Sequence, residues 1–295
     1  YQYLLDYQQK KRQGDIQLMN ADEIIYFPIC HHIVRQSNGT GGLATSSLDV
    51  IMDELNAKYK NAGIQFYTSK IDVINNTTYY NFSHSQENTV RSNYNDSKSI
   101  NIYYCNSVKL SDSSTAAGYS YTPDANRNFT VIANEYALNG STVLHEVGHA
   151  FGLLHTHDTR NGVEHPNGSN CSDTGDLCCD TPADPELSSS NVKNCQYIGN
   201  ASLDGVPYRP DVYNYMSYAP KTCRTRFSND QLSMVKYNSR DKSLYLYALS
   251  KQEPEYVIQT AVSVSSGKVM DYVVIRIIEG GTLTNNGGTI NAGKL

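Results

Sequence analysis

HEVGHAFGLLH, residues 145–155, is the stretch on which the reading of this chain turns. Ser141 or Thr142 can cap a helix there, with Val143, Leu144, Val147 and Phe151 on its inward face. His145 and His149 lie four residues apart, so both imidazoles leave the same side of that helix. Two such nitrogens reach one tetrahedral zinc at about 2.0–2.1 Å. Glu146, beside the first histidine, is placed to take a proton from water held at the metal. On a continued helix His155 would lie about 15 Å along the axis from His145, out of range. Gly152 can take a positive φ at little cost and turn the chain back, so that His155 becomes the third ligand. An isolated HExxH also arises in ordinary amphipathic helices, and the added Gly152 and His155 separate this stretch from that background.

Upstream, IIYFPICHHIVR (24–35) reads as a strand rich in β-branched and aromatic residues. A helix follows with Leu48, Ile51, Met52, Leu55 and Tyr59 on one face and Gly63 at its end. IQFYTSKIDVI (64–74), SINIYYC (99–105) and NFTVIA (128–133) are further strands. This order implies an α+β fold, a mixed sheet with helices packed on it. Cys30-His31-His32 could imitate a metal site, but its strand setting favours ordinary β alternation. From Thr156 to about Arg226 the pattern gives way to loops, and Ser228-Asn229-Asp230-Gln231 has the form of a capping box opening a last helix, with Leu232 and Val235 facing in. The expected organisation is a polar leader over 1–20, a catalytic domain over 21–240 and a separate, truncated β extension over 241–295.

The 295 residues carry a net charge of -5 and no Lys/Arg block, which excludes nucleic acid as the expected partner. No apolar run approaches the roughly 20 residues of a membrane helix. Five of the seven cysteines, Cys171, Cys178, Cys179, Cys195 and Cys223, fall in the loop-rich stretch, which suggests local disulfides and an oxidising, extracellular or cell-surface location.

The zinc stretch resembles that of the metzincin clan, and HEVGHAFGLLHTH, GDLCCDTPAD (175–184), NYMSY (214–218) and CRTRFSNDQLSMV (223–235) resemble the pappalysin family. That resemblance covers roughly residues 24–240 and implies a two-lobed domain, a sheet-containing upper lobe above a loop-rich lower one. It implies Met216 as the turn methionine beneath the metal and Tyr218 as a hydrogen-bond donor to the tetrahedral intermediate. It implies structural calcium on Asp176, Asp180 and Thr181. It also implies disulfides Cys171–Cys195 and Cys223 with Cys178 or Cys179; Cys179, directly before the DTP turn, is the choice. Cys30 and Cys105 are then buried free thiols. One departure stands out. Family members carry acidic residues before the last cysteine that help select Arg in the substrate, whereas Ala219-Pro220-Lys221-Thr222 stand here.

The expectation is a secreted, monomeric zinc metalloendopeptidase acting on proteins or peptides, with calcium as a second cofactor and Glu146 assisting attack by water on the metal. The rival reading is a zinc-bearing, non-catalytic adhesion protein working through its β extension.

Overall fold

The computed structural model describes residues 2–14, 24–123, 127–258, 261–266, 269–277 and 281–294. Residues 15–20 of the expected leader and 278–280 of the C-terminal β segment lie outside them. Eight strands form the main sheet in the spatial order Thr289–Lys294, Val269–Ile277, Glu255–Ile258, Ile64–Asn75, Ile25–Arg35, Ile100–Cys105, Thr130–Ala133 and Gly118–Ser120. Neighbours are parallel except the last pair, where Gly118–Ser120 runs antiparallel along Thr130–Ala133. Ile25–Arg35 is central and covered on both faces, which is why it reads as a near-continuous apolar run instead of an alternating one.

The helix Ser47–Tyr59 makes the crossover between the two central strands, burying Leu48, Ile51, Met52, Leu55 and Tyr59 as its spacing demands. Gly63, at φ 68°, closes the turn after it. Tyr59 and Phe66 meet edge to face at 5.3 Å, and Phe27 meets Phe151 at 4.9 Å. Phe151 ends the helix that carries the histidines, so this aromatic cluster fixes that helix to the sheet. Tyr59 Oη donates to the Leu144 carbonyl at 2.9 Å.

His31 and His32 belong to the sheet interior and share no metal-ligating geometry. His31 Nδ1 meets Tyr104 Oη at 3.0 Å, while His32 lies between Asp72 and Asn101 and stacks on Tyr103 at 4.1 Å. Burial pushes the His31 imidazole down to about 3, so it is neutral. Cys30, Cys105 and Cys178 are free, buried thiols.

Two segments differ from expectation. Gln2–Arg12 is a docked helix whose Tyr3, Leu4 and Tyr7 are buried in the main core; a narrow stripe inside a polar stretch suffices for this. Lys11 pairs with Asp230 at 2.5 Å and Arg12 with Asp173 at 2.6 Å. The C-terminal strands do not stand apart either. Leu246 and Leu249 enter the main core, and Val257 pairs in register with Lys70, continuing the sheet at the edge remote from Gly118–Ser120. Main-chain hydrogen bonding recruits any extended segment brought beside an open edge.

The loop-rich lower part is cross-linked, with a pairing that corrects the expected one. Cys171 bonds Cys179 and Cys195 bonds Cys223, with Cα–Cα distances of 5.0 and 5.4 Å; Cys171–Cys195 and Cys179–Cys223 are not formed. The reason lies in which way the adjacent cysteines face. Cys178 joins the main core, which turns Cys179 outward to its local neighbour Cys171. Cys195 is left to Cys223, beside a small core of Leu187, Val192, Val212 and Ala219.

Candidate active site

The helix Thr142–Ala150 is buried along its whole length beneath the edge strand Gly118–Ser120. Its start is secured by Asn139, whose Oδ1 accepts from the Ser141 and Thr142 amides at 3.0 and 2.8 Å; neither Ser141 nor Thr142 serves as the side-chain cap. The helix stops at Gly152, whose φ is +95° and whose amide bonds the His149 carbonyl at 2.8 Å. A Cβ on Gly152 would lie 2.5 Å from Asn238 Nδ2 and 2.7 Å from the Tyr3 ring, so glycine is required for both backbone angle and space. Asn238 Nδ2 donates to the Phe151 carbonyl at 2.7 Å, holding the turn in place.

Past that turn His155 comes back against the helix. The Nε2 atoms of His145, His149 and His155 lie 3.1, 3.2 and 3.0 Å from one another. Ligand nitrogens around a tetrahedral zinc stand about 3.3 Å apart, close to this spacing. His145 Nδ1 faces the Tyr215 carbonyl at 2.7 Å and His149 Nδ1 faces the Leu153 carbonyl at 2.8 Å. A carbonyl only accepts, so each Nδ1 carries the proton and each Nε2 presents a bare lone pair. Burial, with the neighbouring imidazoles, holds His145 and His155 far below the ordinary histidine value, and burial takes His149 down to about 4. Uncharged donors converging in this way fit a metal cation. Bare nitrogens at 3 Å repel one another unless a positive charge sits among them.

Glu146 is buried on the same cavity wall, where burial pushes its carboxyl up to about 8, opposed by Arg224 and Lys221. Met216 is fully buried, and its Sδ lies 2.7 Å from where a Cβ on Gly148 would be. Its carbonyl accepts from the Thr156 amide at 3.1 Å, and its amide donates to Asn214 Oδ1 at 2.8 Å. The turn carrying Met216 is thus tied both to itself and to the chain just after His155. Tyr218, 45% exposed, stands with its ring 4.6 Å from His155 and 4.4 Å from His157.

Residues 83–238, just over half the chain, match the model of peptidase family M43, described as pregnancy-associated plasma protein-A. The chain belongs to the pappalysin family of metallopeptidases. It is 28% identical over 230 residues to an extracellular metalloprotease of Pyricularia oryzae, covering 72% of each chain. It is 26% identical over 217 residues to one of Arthroderma benhamiae, covering 68% of this chain and 73% of that one. Among solved structures it resembles mirolysin in complex with compound 9, at a TM-score of 0.58 and 20% identity, over 78% of this chain and 97% of that one. The α+β architecture is the metzincin-like one, and the chain is a metalloendopeptidase.

Several residues of this pappalysin site go beyond the sequence reading. His157 stacks on His155 at 4.9 Å; the second histidine of HTH was its only signal. Arg224, 9% exposed, points its guanidinium at the methionine turn, with Nη1 3.2 Å from the Ser217 carbonyl and 3.4 Å from His145 Nδ1. Its place directly after Cys223 gives no hint of that burial.

The DTP loop brings together only part of the expected calcium set. Asp176 and Thr181 are buried in contact, Thr181 Oγ1 donating to Asp176 Oδ1 at 2.8 Å. Asp180 turns away, its Oδ2 accepting from the Asp230 amide at 2.9 Å at the start of the helix Asn229–Arg240, where a carboxylate complements the helix end. Glu164 approaches instead: a Cβ on Gly175 would lie 2.6 Å from its Oε2. Burial and the nearby Asp184 push the Glu164 carboxyl up to about 7, and burial raises Asp176 well above the usual carboxylate range.

Proposed function

We propose that this protein is a secreted, zinc-dependent endopeptidase that hydrolyses internal peptide bonds, with His145, His149 and His155 as the zinc ligands. The observation that carries the metal is the convergence of three uncharged imidazoles, two buried and one half-buried, with Nε2 atoms 3.0–3.2 Å apart. Imidazole nitrogens suit zinc, and three of them leave a fourth position open, so the ion would polarise the scissile carbonyl and acidify water toward a pKa of about 7. Glu146 takes the proton of the attacking water and returns it to the leaving amine. Tyr218, beside His155 at the cavity mouth, donates its phenol to the oxyanion as it forms. Gly118–Ser120 ends the sheet on this side and leaves one backbone edge for an extended peptide to pair with.

Residues 21–240 are assigned as the catalytic unit, with 241–295 as its β extension. The names of the fungal relatives support secretion, as do two disulfides. No helix among the described residues is long and apolar enough to cross a membrane. Calcium is proposed at the DTP loop, on Asp176 and Thr181 with Glu164 beside Gly175, where a hard dication would offset buried carboxylates.

The test is cleavage of a diverse peptide mixture, read by mass spectrometry, with the zinc-loaded wild type beside Glu146→Ala. Cutting by the wild type alone, at one zinc per chain, is the expected result. Equal cutting by both, or none by either with zinc bound, would overturn the reading.

A further inference from the structure

Beside the histidines lies a cavity of about 560 Å³, walled by the edge strand, the histidine helix and residues 218–224. Two cations line it on the side of Glu146, Lys221 and Arg224. Arg224 is nine-tenths buried, yet its Nε has no hydrogen-bond partner among the described residues, and only Nη1 reaches the carbonyls of the methionine turn. The Lys221 ammonium lies 4.5 Å over the Tyr136 ring, and burial together with Arg224 pushes its pKa down.

The acids at the cavity do not offset this pair. Glu146 is engaged by the reaction, and Glu186 is exposed at the rim. Glu135 attracts Lys221 without lining the cavity, and a bound dication adds further positive charge. Carbonyl and ring contacts replace only part of the water that the buried guanidinium and the half-buried ammonium have lost, and they leave both positive charges in place. A carboxylate entering the cavity supplies the counter-charge that this wall lacks.

Resting on the endopeptidase reading, we propose that this cavity is the subsite for the substrate residue flanking the cleaved bond. It selects Glu or Asp there, with Lys221 and Arg224 as the specificity determinants. A Lys or Arg side chain would meet like charge, and an aliphatic one would bring no counter-charge to Lys221 and Arg224.

The experiment uses the full chain, zinc-loaded, and peptides that differ only at the flanking residue, Glu, Gln, Leu or Arg. Cleavage is followed with the wild type and Lys221→Glu, and binding of the same peptides is titrated calorimetrically on zinc-loaded Glu146→Gln. We expect Glu to exceed Gln by about tenfold or more in kcat/KM, with Arg poorest. The same order should appear in binding. Lys221→Glu should shift the preference toward Arg while its zinc content stays at one per chain. Cleavage without acidic preference, or an unaltered preference in Lys221→Glu, would overturn the subsite and leave the peptidase standing. If nothing is cut, the endopeptidase reading fails. The titration then decides the anion site alone, and equal affinity for the Glu and Arg peptides would end it.

Discussion

Met216 occupies the space that a side chain on Gly148 would need, its Sδ 2.7 Å from where that Cβ would stand. Gly148 directly precedes His149, so methionine turn and ligand helix are in contact at the ligands themselves. Gly148→Ala gains up to about 1 kcal/mol in helix propensity, but overpacking a filled site costs about 1–3 kcal/mol. We expect a Tm lower by several degrees and weaker zinc binding, because relief of the clash moves His149. Thermal unfolding with and without zinc, together with a chelator competition, checks this. A variant with wild-type affinity would mean that the helix position does not depend on Met216.

Tyr218 stands 4.6 Å from His155, ring to ring, with nearly half its surface open. Such exposure makes a poor core residue and a suitable donor that closes on substrate. Tyr218→Phe should keep zinc content and Tm while kcat falls about 10²-fold with KM little changed, the pattern of a bond made only in the transition state. A matching rise in KM with kcat intact would instead make Tyr218 a substrate-binding residue.

The two disulfides enclose loops of very different length, 8 residues for Cys171–Cys179 and 28 for Cys195–Cys223. Loop-closure entropy then makes the longer one worth about 1 kcal/mol more. Cys195→Ser with Cys223→Ser should therefore lower Tm more than Cys171→Ser with Cys179→Ser. Non-reducing peptide mapping should yield the 171–179 and 195–223 pairs. A linked Cys171–Cys195 fragment would contradict the observed pairing.

What is legible in the sequence follows from local rules. The helix face of Leu48, Ile51 and Leu55 and the i, i+4 placement of His145 and His149 need only helical periodicity. The return of His155 needs only a glycine. What is not legible depends on distant partners. Adjacent Cys178 and Cys179 give no sign of which faces the core, and that orientation decides the whole disulfide pattern. The stripe of Tyr3, Leu4 and Tyr7 means little until Gly152 and Asn238 provide the surface it covers. Asn139 takes the capping role because of its own loop geometry, although Ser141 and Thr142 have the usual residue types. Arg224 reads as one more surface charge until its Nη1 is seen against the Ser217 carbonyl.

Glu164 gives a pH-dependent prediction. Its carboxyl is buried near Asp184, and its pKa rises from 4.5 to about 7. The folded state therefore holds this proton more tightly than the unfolded chain. The associated stability is fully present below pH 4.5 and is lost as pH rises through about 7. A shift of this size corresponds to at most about 3 kcal/mol. In chelator, Glu164→Gln should match the wild type in Tm near pH 4.5 and exceed it by several degrees at pH 8, because glutamine never ionises. Calcium added at pH 8 should raise the wild-type Tm, since a dication offsets the buried carboxylates of Glu164 and Asp176. It should help Glu164→Gln less. A constant difference between the two proteins from pH 4.5 to 8 would mean that Glu164 titrates normally. An equal calcium response in both would remove Glu164 from any calcium site and leave its burial to be explained by Asp176 and Thr181 alone.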